Sequence, residues 1–584
     1  MTLSRNSKLI NKKFIAYLIP SILMIFAMQF SSLIDGIIIG NFLGSEALSA
    51  TSLVSPILYI IQIPGFALGA GGSILINNLL GKRDVDKAKK VFSFCIIVGL
   101  ALSLIFAILG PFISLPLARA FGEDLVKYNE PYILMYLVTD PLITLALLIA
   151  PLIYADNNPK ISCAIYIVSN FAKVGLEIFF IQVCKWGMYG AAASTGAGYF
   201  VGSLVGILYI RSKKRVLNFS FKIKDCGPKD ILKTSSTYAL NFLLTAIQML
   251  IVNIFIGQLI VSAVDLGAYG LIANMVFLFD LFCGGVLNLI QTLCSLFYGE
   301  KDLYSLRSVT RKLFFINIII SVLLSVFIVA APGVYSIIFG YNDTQNMEYV
   351  ATLLRIYVIS FIPYEINKFS MNYYPSIDKT SVSIVTVFSR ELVVVLPVTI
   401  SLLFTNGLMG YVVAAIITEA ASVIITYCYV YILNYKKKIN HGIFMFEEGD
   451  VESFDVSVDN EIANASKISY ELTEFARGKN IKEREAQVVG LVAEEIVNNI
   501  VTYGYKKGQK SSIDVNLKIV NDKLVLRIRD DGFPFDPTKY EYDNDEKYST
   551  SGILLIKSMS DKMSYLRVLN LNNTVIEINL RGAN

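Results

Sequence analysis

The chain has 584 residues, 54% hydrophobic and 17% charged, with a formal net charge of +5. Its mean hydropathy of +0.58 is too high for a soluble protein of this length, and no nucleic-acid partner is expected. The apolarity is uneven: up to about Asn434 long apolar runs alternate with short polar links, and after Lys436 charges become frequent and no run of 18 apolar residues remains.

The opening MTLSRNSKLINKK imitates the basic end of a signal peptide, but the apolar run behind it is too long for one and is read as a retained first helix. That run, Phe14 to Gly40, carries a single charge, Asp35. At about 1.5 Å per residue it can cross the roughly 30 Å hydrocarbon core of a bilayer. A carboxylate there is costly without a partner or a wet cavity, so Asp35 either sits at the headgroups or a helix end, or lines a polar cavity and binds a proton or Na⁺.

Twelve runs can span, near 14–40, 47–80, 91–117, 131–154, 161–183, 187–210, 234–260, 266–298, 312–331, 350–374, 380–404 and 408–434. The second and eighth are long and are expected to tilt or protrude. Lys and Arg crowd the N-terminus and the links after the second, sixth and eighth runs, and Lys436, Lys437 and Lys438 mark the exit. The positive-inside rule then puts both termini in the cytoplasm of a multi-pass cell-membrane protein. Three short echoes repeat in order: Ile39-Gly40 with Ile256-Gly257, Gly81-Lys82-Arg83-Asp84 with Gly299-Glu300-Lys301-Asp302, and Gly187-Met188-Tyr189-Gly190 with Gly407-Leu408-Met409-Gly410. Their nearly constant offset predicts two six-helix pseudo-repeats that enclose a substrate path.

Charges inside the spans are the candidate site. Lys173 and Glu177 are i,i+4 and can neutralise each other; Glu365 and Lys368, i,i+3, read the same way. Arg390 and Glu391 are adjacent, point apart and each need another partner, while Glu419 lies mid-span with no local partner and is the second-half acid to test. Asp140 and Asp280 complete the set. Asn170 and Thr195 could add neutral oxygens to a cation site or simply bond between helices. The seven Cys and the single His, His441, show no metal-like spacing.

The segment PSILMIFAMQFSSLIDGIIIGNFLGSEALSATSLVSPI, then GAGGSILINNLLGKRDVDKAKK and GMYGAAASTGAGYFVGSL, resembles the multidrug and toxic compound extrusion (MATE) transporters over about 1–435. The resemblance implies efflux of small amphipathic or cationic substrates in exchange for Na⁺ or H⁺. It puts the family's first-helix carboxylate on Asp35 and its supporting polar positions on Asn170, Glu177 and Thr195, with Glu177 standing where Asp or Asn is expected. Flippases for lipid-linked precursors share the duplicated architecture and stay open as an alternative.

After a linker over 441–454, residues 455–584 read as a mixed α and β domain large enough for one core. A strand FDVSVDN leads to two helices, two β-rich segments, a helix over GILLIKSMSDKMSYL and a last strand TVIEINL. Glu495 and Asn499 are i,i+4 and could hold Mg²⁺ and orient a water or hydroxyl. Asp530-Asp531-Gly532 ends a strand, where an acid can accept from an exocyclic amine. Ser549-Thr550-Ser551-Gly552 precedes a helix whose N–H groups favour phosphate or a plain N-cap.

In this order the three clusters resemble the GHKL ATP-binding fold, a two-layer α+β sandwich, and within it the anti-sigma factor serine kinases. The resemblance implies Glu495 as general base, Asn499 as Mg²⁺ ligand, Asp530 and Gly532 at the adenine, Gly552 at the end of the lid, and Mg-ATP as ligand. The lid keeps only Gly552 of the expected glycines, and Tyr503 stands where His is frequent. No Gly-x-x-x-x-Gly-Lys-Ser/Thr loop suggests that ATP powers transport. The expected protein is thus an all-α membrane domain over 1–440 carrying a regulatory or kinase-like tail that engages a cytoplasmic partner. A receptor that senses a ligand and signals through the tail is the other reading.

Overall fold

The computed structural model describes residues 5–6, 8–212, 215–220, 225–260, 262–338, 346–436, 442–446, 452–520, 522–540 and 551–580. The chain forms two compact units, Tyr17–Phe446 and a second that joins Met1–Ala16 to Glu447–Asn584.

Among the described residues every regular element of the larger unit is a helix. In order come α1 (Lys8–Leu43), α2 (Ser45–Ile61), α3 (Ile63–Gly81), α4 (Val85–Arg119), α5 (Val126–Ala155), α6 (Pro159–Ile178), α7 (Met188–Arg211), α8 (Pro228–Leu259), α9 (Ala263–Gly299) and α10 (Leu303–Ala330). A short α11 (Pro332–Ile338), α12 (Met347–Tyr357), α13 (Phe361–Ser376), α14 (Thr380–Phe388) and α15 (Val395–Lys436) follow. Among the described residues eleven helical segments are long and apolar enough to cross a membrane. The last of them, Thr380–Lys436, runs 57 residues, roughly 85 Å if straight and far more than one bilayer needs. It breaks at Gly407, whose φ of 55° and ψ of −139° no L side chain adopts comfortably. Two spans result, and twelve are reached.

Among the described residues three spans are interrupted just before a proline that cannot donate to the preceding turn, and the fifth ends in a π turn over Phe179–Val183 with no proline behind it. The second run is not one long tilted helix but α2 and α3, parted at Gln62 ahead of Pro64. A 3₁₀ turn over Val358–Ser360 precedes Pro363, and a π turn over Ser389–Val393 precedes Pro397.

The duplication is written in the backbone. Gly187 (φ 56°) opens α7 as Gly407 (φ 55°) opens the last span. Arg83 and Lys301 both take positive φ, and Asp84 and Asp302 cap α4 and α10 by accepting from Lys87 and Ser305 N–H groups. Each half buries its own apolar cluster, around Leu137, Ile149 and Tyr166 in the first and Phe279, Leu353 and Val412 in the second. The halves meet where α3 crosses α9: a Cβ on Gly81 would lie 2.4 Å from the Leu296 carbonyl oxygen, and one on Gly299 2.2 Å from that of Asn78.

The smaller unit is a five-stranded antiparallel sheet of order β1-β2-β3-β5-β4, with β1 (Ser453–Asp459), β2 (Ser512–Val520), β3 (Lys523–Asp530), β4 (Lys562–Val568) and β5 (Leu571–Asn579). Its helices are α16 (Ala463–Gly478), α17 (Glu483–Tyr503) and α18 (Ser551–Met559). Period-two residues Val456, Val458, Val515, Leu517, Leu526 and Ile528 pack against Ile468 and Leu472 of α16 and Val489, Ala493 and Val497 of α17. The result is the two-layer α+β sandwich. The single helix expected over GILLIKSMSDKMSYL is corrected: α18 ends at Met559, and Lys562–Val568 is strand β4, paired with β5. Basic residues at the start of α1 and just before it also belong to this unit. Lys12 Nζ lies 2.5 Å from Asp531 Oδ2 and Lys8 Nζ 3.3 Å from Asp459 Oδ1, and Arg5 pairs with Asp455.

Candidate functional site

In the first half of the membrane unit α6 presents one buried face, on which Asn170, Lys173 and Glu177 follow at turn spacing. Lys173 does not simply neutralise Glu177. Its ammonium donates to Asp35 Oδ2 across from α1, a partner 138 residues away. Glu177, 1% exposed, turns its carboxyl to that of Asp35. Asp35 Oδ1, Glu177 Oε2 and Asn170 Nδ2 are buried without hydrogen-bond partners. Tyr132 of α5 and Tyr199 of α7 complete the electrostatic surroundings, and Thr195 is buried on α7. The sequence named Asp35, Asn170, Glu177 and Thr195; it missed Lys173 as the partner of Asp35.

The second half holds a separate cluster, and Glu419 belongs there rather than with Asp35. Arg390 Nε donates to Glu419 Oε1 at 2.8 Å, Asn367 Nδ2 to Glu419 Oε2 at 2.7 Å, and Arg390 also pairs with the adjacent Glu391. The expectation that those neighbours point apart is therefore corrected. They lie in the π turn, whose wider winding reduces the angle between successive side chains, and the long guanidinium arm closes the remainder. The Glu365–Lys368 pair is corrected too. Asn317 Nδ2 donates to Glu365 Oε2 at 2.9 Å, and Lys368 Nζ lies 3.6 Å from Asp280. Tyr364 donates to Asp280 at 3.2 Å while its ring lies 4.7 Å from the Arg390 guanidinium.

In the smaller unit α17 carries Glu495 and Asn499 on one face, and Asn499 Nδ2 donates to Glu495 Oε1 at 3.3 Å. The amide's oxygen end is thereby left to bind a cation. α18 starts against the same carboxylate: a Cβ on Gly552 would come within 1.8 Å of Glu495 Oε1. The end of α17 is pinned beside β3, because Phe533 N–H donates to the Gly504 carbonyl at 2.8 Å. There Asp530 Oδ1 accepts from Gly532 N–H and Asn572 Nδ2, each at 2.8 Å. Burial pushes the Asp530 carboxyl up to about 6 against those two bonds. Burial acts on Asp531 in the same sense, but the Lys12 ammonium and the Ser511 hydroxyl hold it below the usual carboxylate range. Asn572, on the last strand, was not singled out from the sequence. Ser549 and Thr550 lie outside the described residues.

Among the described residues no group of three His, Cys, Asp or Glu is placed to hold a metal. One amide oxygen fits Mg²⁺ only alongside phosphate and water ligands, which is how that ion is usually held on a nucleotide. A cleft of about 840 Å³ opens past the end of α17, lined by Thr502, Tyr505, Lys506 and Lys510; neither Glu495 nor Asp530 lines it.

A family model described as MatE matches residues 20–179 and again 238–401, one copy on each half. The chain belongs to the MatE family. A second model, the histidine kinase-like ATPase domain, matches residues 458–578 and identifies the tail of this MatE chain. The multidrug export protein MepA of Staphylococcus haemolyticus is 25% identical over 351 residues, 57% of this chain and 74% of that protein. MepA of Staphylococcus aureus is 26% identical over 276 residues, 44% of this chain and 60% of that one. The probable multidrug resistance protein YoeA of Bacillus subtilis is 21% identical, covering 59% and 77%. Among solved structures, an outward-facing multidrug resistance MATE family transporter superposes with a TM-score of 0.67 at 19% identity, over 73% of this chain and 96% of that one. A transporter of the same superfamily from Pyrococcus furiosus, described as having a binding pocket of reversed polarity, gives 0.64 at 19% identity over the same shares. These likenesses establish a multi-pass MatE fold with an ATPase-like domain at its C-terminal end.

Proposed function

We propose that this MatE chain is a secondary-active exporter in the cell membrane. It carries small amphipathic, often cationic compounds outward in exchange for Na⁺ or H⁺, with both termini in the cytoplasm. The observation that carries the reading is Asp35 on the first membrane helix, a half-buried carboxylate whose Oδ1 is buried without a hydrogen-bond partner. An ionisable side chain inside a membrane helix is costly, and such residues pair with one another or mark ion pathways. Relatives named for multidrug export and the basic cytoplasmic links support the substrate class and the orientation. Pro20 inside α1 leaves a carbonyl without its helical donor and offers a point where ion binding can bend the helix. Export of an organic cation from cells expressing Asp35→Asn is expected to fall to background while the protein still inserts; unchanged export removes Asp35 from the mechanism.

The tail is proposed to bind Mg-ATP as a regulatory or serine-kinase-like module that acts on a cytoplasmic protein, with Glu495 as base, Asn499 on the metal and Asp530 on the adenine amine. The close approach of Gly552 to Glu495 supports the reading, since it sets the start of α18 against the carboxylate named as base. Calorimetric titration of the full-length protein with Mg-ATP, beside Asn499→Ala, tests it. Ligand-dependent phosphorylation of a partner by a chain that exports nothing would favour the signalling reading instead.

A further inference from the structure

The groups facing Asp35 from the packed helices are Lys173 and Glu177 of α6, Tyr132 of α5 and Tyr199 of α7. Resting on the reading of Asp35 as the coupling carboxylate, we propose that Lys173 decides which cation this site exchanges: its ammonium is a tethered cation that occupies Asp35 and keeps Na⁺ out.

Lys173 is 8% exposed and donates directly to Asp35 Oδ2, so the carboxylate oxygen that a metal ion would take is already bound to a positive charge. A hard cation needs several oxygen ligands at once. Here one of the two Asp35 oxygens is spent, and any ion on the other would sit within about 4 Å of the ammonium, where like-charge repulsion lowers its affinity by roughly three orders of magnitude. Screening of the repulsion by water is reduced on the α6 side, where the face that bears Asn170, Lys173 and Glu177 is buried. Beside that ammonium only Asp35 Oδ1 and Glu177 Oε2 are left as buried carboxyl oxygens without a hydrogen-bond partner, too few to make a shell for a hard cation. α7 packs closely against α6 at this point, since a Cβ on Gly198 would come within 2.7 Å of the Lys173 backbone.

The test uses the purified full-length protein with Na⁺ as the probe, in NaCl against choline chloride at matched ionic strength. The wild type is expected to melt at the same temperature in both salts, whereas Lys173→Asn and Lys173→Gln gain a saturable, Na⁺-specific rise of a few degrees. In proteoliposomes, ethidium export by the wild type is expected to change less than twofold when an inward Na⁺ gradient is imposed, and export by Lys173→Asn to become Na⁺-driven. A saturable Na⁺-specific rise in the wild type overturns the proposal, whether or not the variants fold. So does the absence of any Na⁺ response in two folded variants. If nothing exports ethidium under any gradient, the exporter reading fails, and the melting curves still decide the role of Lys173.

Discussion

A Cβ on Gly552 would sit 1.8 Å from Glu495 Oε1, so the first turn of α18 and the carboxylate of α17 occupy one another's surface. Gly552→Ala must push Glu495 off Asn499 or lift α18 away. Overpacking of this kind costs about 1–3 kcal/mol, and Mg-ATP affinity of the full-length protein is expected to fall at least tenfold. Asn499→Ala should lose affinity with little change in melting temperature, because it removes a ligand and inserts nothing. Equal affinities for Gly552→Ala and wild type would mean that the site is not built on Glu495.

Asp530 makes a prediction with a sign. Its carboxyl is raised to about 6 by burial despite bonds from Asn572 and Gly532. A carboxyl whose folded value exceeds its unfolded value near 4 favours folding below that pH, and the contribution disappears as pH rises through about 6. At neutral pH the ionised group is then a liability of up to about 3 kcal/mol. Asp530→Asn keeps the Oδ1 acceptor that both donors use, so it should raise the thermal stability of the small unit at pH 7.5 and not at pH 4. The same change should abolish adenine recognition, which needs the carboxylate, and wild-type nucleotide affinity should weaken below about pH 6. A parallel pH dependence in wild type and Asp530→Asn would assign the effect to another group.

How much of this was legible depends on the range of the interaction. The twelve runs, the duplication and the strand–helix alternation of the tail are local patterns in residues such as Val456 and Val458 or Ile468 and Leu472, and the fold obeys them. The breaks ahead of Pro64, Pro363 and Pro397 were open to the same local reasoning, although hydropathy runs straight through them. Partners across helices were not legible. Helical spacing offered Lys173 to Glu177, and the fold gave it to Asp35; it offered Lys368 to Glu365, and the fold gave it to Asp280. Spacing reports which residues share a face and is silent on the helix opposite. Arg5, Lys8 and Lys12 read as a topology signal, yet each also meets an acid of the tail hundreds of residues away.

Where α3 crosses α9 the two halves approach through Gly81 and Gly299, with backbone atoms rather than flexible side chains at 2.2–2.4 Å from the added Cβ positions. Neither neighbour can yield without moving a helix. Gly81→Ala and Gly299→Ala should each separate the halves locally, lowering the melting temperature by several degrees and export by more than tenfold. Gly257→Ala, a helix glycine with nothing within 4 Å, should do neither. Comparable melting of all three would show that the crossing tolerates a methyl group and is not a fixed contact.

Arg390 holds two acids at once, and its loss should be worse than the loss of either. Glu419 is 8% exposed and Glu391 2%, and both rely on the same guanidinium. Removing one partner of a buried pair costs about 3–5 kcal/mol, because the charge left behind has no compensation. Arg390→Ala leaves two such charges. Lysine restores a charge but not the fork that reaches two carboxylates, so Arg390→Lys should fall between wild type and Arg390→Ala in melting temperature. The double variant Arg390→Ala with Glu419→Gln removes one stranded charge and should recover part of the loss, since Asn367 can still donate to the Gln oxygen. Thermal melts of wild type, Arg390→Ala, Glu419→Gln and the double variant make a double-mutant cycle. A coupling energy near zero would mean that Arg390 and Glu419 do not depend on each other, and that the second-half cluster is held by its Asn and Tyr contacts instead.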